Sequence, residues 1–193
     1  MGKKLSGRDG ATLGFASSTD YYRKLLRDAE GLRGSWDAHD ATDFLITSWH
    51  LFQDWTKSDP KTSLSRSKRN RAKLPTQMNL ILDITRDLAN GSKHFQLDQS
   101  SADKRKISEV HDGLEANWFS YFFHENVPAV TVEGGWYFSV RVLHNILLAY
   151  YHWVFDDNQP LQNFPVEILE TVDYCNIQTR KTGSVPRIWG ENG

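Results

Sequence analysis

Cysteine is nearly missing from this chain. Cys175 stands alone among 193 residues, so no internal disulfide and no cysteine-built zinc knuckle can form within it. Long apolar runs are missing too: none reaches the ~18 residues that a membrane-spanning helix needs. Net charge is small, with 23 Lys and Arg against 24 Asp and Glu, so the chain as a whole is no polycation. The glycine-rich phosphate loop, the dinucleotide fingerprint and the Gly-x-Ser-x-Gly elbow are all absent from the sequence. What is plentiful is aromatic: seven Trp, seven Tyr and ten Phe supply large core residues. A hydrophobic share of 39% with 24% charged residues is a globular balance, and the length fits one domain.

The expected organisation is a flexible N-terminus over 1–17, a single helical domain over 18–178 and a C-terminal tail over 179–193. The first residues are polar and carry no apolar signal region, which makes the cytoplasm the expected location. The start Met1-Gly2-Lys3-Lys4-Leu5-Ser6 fits the N-myristoylation pattern. One acyl chain anchors only marginally, however, and nothing else in the sequence points to a membrane.

Apolar spacing predicts a first helix over 19–32 from Tyr22, Leu25, Leu26 and Ala29, with Ser18 or Thr19 as cap and Gly31 and Gly34 as its end. A second helix is predicted from Asp40 or Thr42 through Trp55, stopped by Asp59-Pro60. Residues 57–73 then change composition. Seven cations stand there against the carboxylate of Asp59, with Leu64 as the one large apolar residue, which reads as a mobile basic loop. Pro75 suits the first turn of a third, largely buried helix carrying Met78, Leu80, Ile81, Leu82, Ile84 and Leu88. Asn90-Gly91 is read as its stop, with Gly91 in a left-handed cap. Residues 100–110 read as a connector or a short strand, and 117–123 give no clear pattern. Alternation around Gly134-Gly135 predicts a β-hairpin near residues 127–142. Helices over 141–155 and 165–177 complete a mainly α bundle with one hairpin.

The most specific string is Arg86-Asp87-Leu88-Ala89-Asn90-Gly91-Ser92-Lys93-His94-Phe95. Arg86 and Asn90, four apart, share a helix face. A guanidinium can hold a phosphate through two parallel hydrogen bonds, and an imidazole can move a proton near neutral pH. An Arg followed by a polar residue and then by a His at the end of a buried bundle helix resembles the HEPN superfamily of all-α domains. Seven residues intervene here between Arg86 and His94. The resemblance implies a metal-independent endoribonuclease of bacterial defence or toxin–antitoxin function, acting as a homodimer without cofactor. Arg86 and His94 would then be its catalytic pair. Trp49-His50-Leu51 with Asp54-Trp55, together with the Arg86 string, also resembles uncharacterised bacterial proteins.

In this reading Asn90 and Lys93 orient the phosphate. Arg66, Lys68, Arg69, Arg71 and Lys73 grip the RNA backbone without reading bases. His50 and Asp54, four apart, would support the side chains of the Arg86 site from behind, or form a metal set with His94 as third ligand. The alternative reading is a non-catalytic interaction or regulatory subunit that offers an aromatic patch to a protein partner. The polar stripe Arg141, His144, Asn145 and His152 reads as the outer face of its helix. Cys175 reads as a buried structural thiol.

Overall fold

The computed structural model describes residues 13–59, 68–93, 104–112, 127–156, 158, 164–172 and 175. The described chain is mainly helical with a small antiparallel sheet.

Helix α1 spans Ser18–Ser35. Ser17 caps it: its hydroxyl accepts from the Asp20 N–H, and the Asp20 carboxylate accepts in return from the Ser17 hydroxyl and the Ala16 N–H. The helix runs through both Gly31 and Gly34, contrary to expectation. It ends instead at Trp36, which adopts φ 53° and returns its N–H to the Leu32 carbonyl. Tertiary contacts hold this costly conformation: the Trp36 ring lies under the Arg141 guanidinium and edge-on to His144.

Helix α2, Ala38–His50, starts from Asp37, whose carboxylate accepts from the His39 and Asp40 N–H groups. It passes into a π-helical turn, Leu51–Trp55, and one further α-helical turn, Thr56–Ser58. The Phe52 carbonyl within the wide turn accepts from the Arg69 Nε and the Thr56 hydroxyl. Side-chain donors thus serve an acceptor inside the irregular stretch.

Helix α3, Thr76–Gly91, follows Pro75 and buries Met78, Ile81, Leu82 and Ile84. Gly91 stays helical rather than forming a left-handed cap, and Ser92 closes the helix by bonding back to Leu88. Three strands follow: β1 Ile107–His111, β2 Ala129–Val132 and β3 Trp136–Ser139, in the order β1-β2-β3. The hairpin β2–β3 pairs Val130 with Phe138, and Gly134 and Gly135 turn it with φ of 82° and 78°. The polar stretch near 100–110 therefore includes an edge strand. Its pairing to β2 slips between Ile107 and Glu109.

Strand β3 runs directly into helix α4, Val140–Phe155, capped by the Ser139 hydroxyl. The core gathers Leu25, Leu32, Phe44, Leu51, Ile81, Phe138, Leu147 and Tyr150. Helix α2 packs against α1, α3 and α4 at once. Of the last predicted helix, the described residues hold only a 3-10 turn, Val166–Leu169. The aromatic stretch 117–123 lies outside the described residues.

Candidate functional site

Two α3 carboxylates and one carbonyl from beyond the helix hold Arg86 in place. Its Nε and Nη2 donate to Asp87 Oδ1 at 3.0 and 2.8 Å, and its Nη1 donates to Asp83 Oδ1 at 3.0 Å. Nη2 also donates to the Lys104 carbonyl at 2.8 Å. Asp87, buried, accepts in turn from the Lys106 N–H through its other oxygen. The pair therefore ties the last turns of α3 to the approach to β1. This is a structural duty beyond the phosphate grip expected from the sequence.

The basic segment shows the same pattern. Lys68 is 1% exposed, not solvated. Its ammonium donates to the Trp153 and Asp156 carbonyls at 2.7 and 2.6 Å and lies 5.1 Å from the centre of the Trp153 ring. It neutralises the negative end of α4, where the last carbonyls lack helical partners. Arg69 donates to the Phe52 carbonyl and lies over the Phe52 ring. Arg71 donates to the side chain and carbonyl of Asn79 and to Asp83. Lys73 is exposed. The expected solvated grip is thus corrected for Lys68, because the C-terminal end of α4 takes a cation inside the fold. Arg66 and His94 lie outside the described residues.

Lys93 is exposed just past α3, and Asn90 is half-buried in its last turn. The Lys93 Nζ lies 2.6 Å from His50 Nε2 at the end of α2. An ammonium has no lone pair, so His50 must be the acceptor, with its other ring nitrogen carrying the proton. Partial burial holds the His50 pKa below the ordinary imidazole value. Lys93 and Lys24 push the same way, and Asp54 opposes them.

Beside this pair, Lys24 donates to Asp28 at 2.5 Å and to Thr47 at 2.7 Å, and Thr47 donates to Asp28. Tyr21 sits at the same face, stacked on Trp55 at 4.8 Å. The sequence reading missed Lys24, Asp28 and Thr47. Their signal was available in the spacing of Tyr21, Lys24 and Asp28 along one face of α1.

The polar stripe of α4 divides. Arg141, Asn145 and His152 are exposed, while His144 is 2% exposed between Trp36 and Phe44. His144 Nδ1 pairs with the Asn145 side chain. The Tyr22 hydroxyl lies 2.7 Å from His152 Nδ1, and burial pushes the Tyr22 pKa up to about 12. Cys175 is buried, and its thiol donates to the Thr171 carbonyl. Among the described residues, no three metal-ligating side chains cluster and no helix is long and apolar enough to cross a membrane.

Comparison with protein-family models, with curated proteins and with solved structures gives no match to this chain.

Proposed function

We propose that this protein is a HEPN-like RNA-binding protein that cleaves RNA without a metal, in a bacterial defence or toxin–antitoxin setting. One observation carries the reading: the exposed Lys93 ammonium of the Arg86 string and a histidine held toward its neutral form meet at the end of α3. Cation and neutral imidazole are the two groups that phosphodiester chemistry needs. Lys93 and Asn90 take the phosphate, and Lys73 adds non-specific attraction. Arg86 and His94 are the catalytic pair that the family resemblance assigns. Cytoplasmic location and a homodimer belong to the same proposal.

The test is cleavage of labelled single-stranded RNA in EDTA, with light scattering for the oligomeric state. Cleavage that survives both Arg86→Ala and His94→Ala removes the catalytic pair.

A second reading has its own observation. The Arg86 guanidinium already serves two carboxylates and a carbonyl, as a purely structural arginine would. A non-catalytic interaction subunit follows if RNA is neither bound nor cut and the protein elutes with a protein partner.

A further inference from the structure

His50 and Asp54 belong to no part of the Arg86 motif, yet the fold sets His50 against a cation that follows another helix. The contact between Lys93 and His50 is exposed, so a ligand can reach both groups. On the α1 side, Lys24 is tethered to Asp28 and Thr47. Lys93 has no such carboxylate among its described hydrogen bonds, and its ammonium is spent on the imidazole. A neutral acceptor holds an ammonium less tightly than a phosphate does, because hydrogen bonds between two ions are the stronger kind.

We infer that His50 is the proton acceptor and Lys93 the phosphate-binding cation of one RNA-cleaving centre at the junction of α2 and α3. The inference rests on the RNA reading above and puts the proton transfers on His50 and Lys93 in place of the Arg86–His94 pair that the family resemblance assigns. RNA suits this pair because it carries its own nucleophile, the 2′-hydroxyl, next to each phosphate. A base and a cation then suffice.

In the resting state the ammonium covers His50 Nε2. An arriving phosphate draws the ammonium to itself and uncovers the nitrogen lone pair. Nε2 takes the 2′-hydroxyl proton as the O2′–P bond forms and the P–O5′ bond breaks. The leaving 5′-oxygen takes a proton from the Lys93 ammonium. The products are a 2′,3′-cyclic phosphate and a 5′-hydroxyl. His50 has gained one proton and Lys93 has lost one. Return of the proton along the Nε2–Nζ contact restores both groups, so no co-reactant is needed.

The charged groups acting on His50 are Lys93 from beyond α3, Lys24 from α1 and Asp54 from its own helical run. Partial burial first, and then two cations against one carboxylate, favour the basic form of the imidazole. The acid limb of kcat/KM is therefore expected below the ordinary imidazole range.

The experiment uses the full chain and a fluorescent single-stranded RNA in EDTA, with binding measured separately by anisotropy on the uncleavable 2′-deoxy oligonucleotide. His50→Gln is expected to lower kcat at least ~100-fold and to abolish the acid limb, with binding of the deoxy strand within about twofold. Lys93→Gln is expected to weaken deoxy-strand binding as well, and Lys93→Arg to restore that binding. Thermal melts establish that each variant is folded; should His50→Gln fail to fold, the exposed Lys93→Gln carries the test. Wild-type cleavage with an unaltered rate and pH profile in the folded variants overturns the His50–Lys93 centre and leaves the RNA reading standing. Wild-type protein that binds RNA and does not cut it overturns the centre as well. Wild-type protein that neither binds nor cuts RNA overturns both.

Discussion

At the residue scale the plainest lesson is Lys68. A lysine in a run of cations reads as solvated, because lysine is almost never fully buried without a partner. Here the partners are carbonyls at the end of a helix that begins 72 residues later in the chain, at Val140. Nothing in the local sequence announces them. Lys68→Met should leave those carbonyls short of a donor and cost about 3 kcal/mol, given ~1.5–3 kcal/mol for hydrogen bonds to a charged group. Urea unfolding checks it, and an unchanged midpoint would show the ammonium to be dispensable.

His50 makes a pH prediction at the same scale. Its pKa is lower in the folded protein than in the unfolded chain. Just below the ordinary value of 6.5 the unfolded chain therefore binds more protons, and stability falls as pH falls. The contribution is fully present above that value. Melting of wild type and His50→Gln between about pH 7.5 and about pH 5 should show a steeper acid loss for wild type. Parallel curves would remove His50 as a source.

At the element scale, periodicity placed the helices and the hairpin, while capping chemistry decided their ends. Ser17 accepts the Asp20 N–H, and Ser17→Ala should cost about 1 kcal/mol, read as a lower melting temperature. Gly31, Gly34 and Gly91 were read as stops, yet all three are helical. Glycine permits a left-handed turn without demanding one, and the buried Leu32 and Ala89 keep their turns in helix. Gly134 is the opposite case. It occupies φ 82°, and an added Cβ would meet the Trp136 ring no closer than 3.5 Å. The cost of Gly134→Ala should therefore come from the backbone alone, about 1 kcal/mol, and Gly134→Asn should cost less. Equal melting temperatures for all three would contradict this. The π-helical turn at Leu51–Trp55 was illegible because its residues also fit an ordinary helix, and its irregular backbone is served by Arg69 from a later segment.

At the scale of the whole molecule, the Asp83–Arg86–Asp87 cluster joins parts far apart in sequence. Asp83 receives both Arg86 and Arg71, and Asp87 receives Arg86 and the Lys106 N–H. Arg86→Ala should strip a 5%-exposed carboxylate of its partner and cost about 2–3 kcal/mol. Asp87→Asn combined with Arg86→Ala should cost less than the sum of the single changes, since the stranded charge is gone. A double-mutant cycle by chemical denaturation measures this, and strict additivity would show that the pair is not coupled. Any loss of activity in Arg86→Ala must therefore be read beside its melting temperature.

The sequence by itself determined the mainly α class, the four long helices and the hairpin around Gly134-Gly135, because those follow from local periodicity and turn chemistry. It also marked His50, Asp54, Arg86 and Lys93 as residues able to do chemistry. Only the tertiary structure decided which of them meet. It spent Arg86 and Lys68 on internal acceptors and brought Lys93 across 43 residues to His50. A side chain's type sets what it can bind, but its partner is whichever group the packing of distant segments delivers, and that is written in no short stretch of chain.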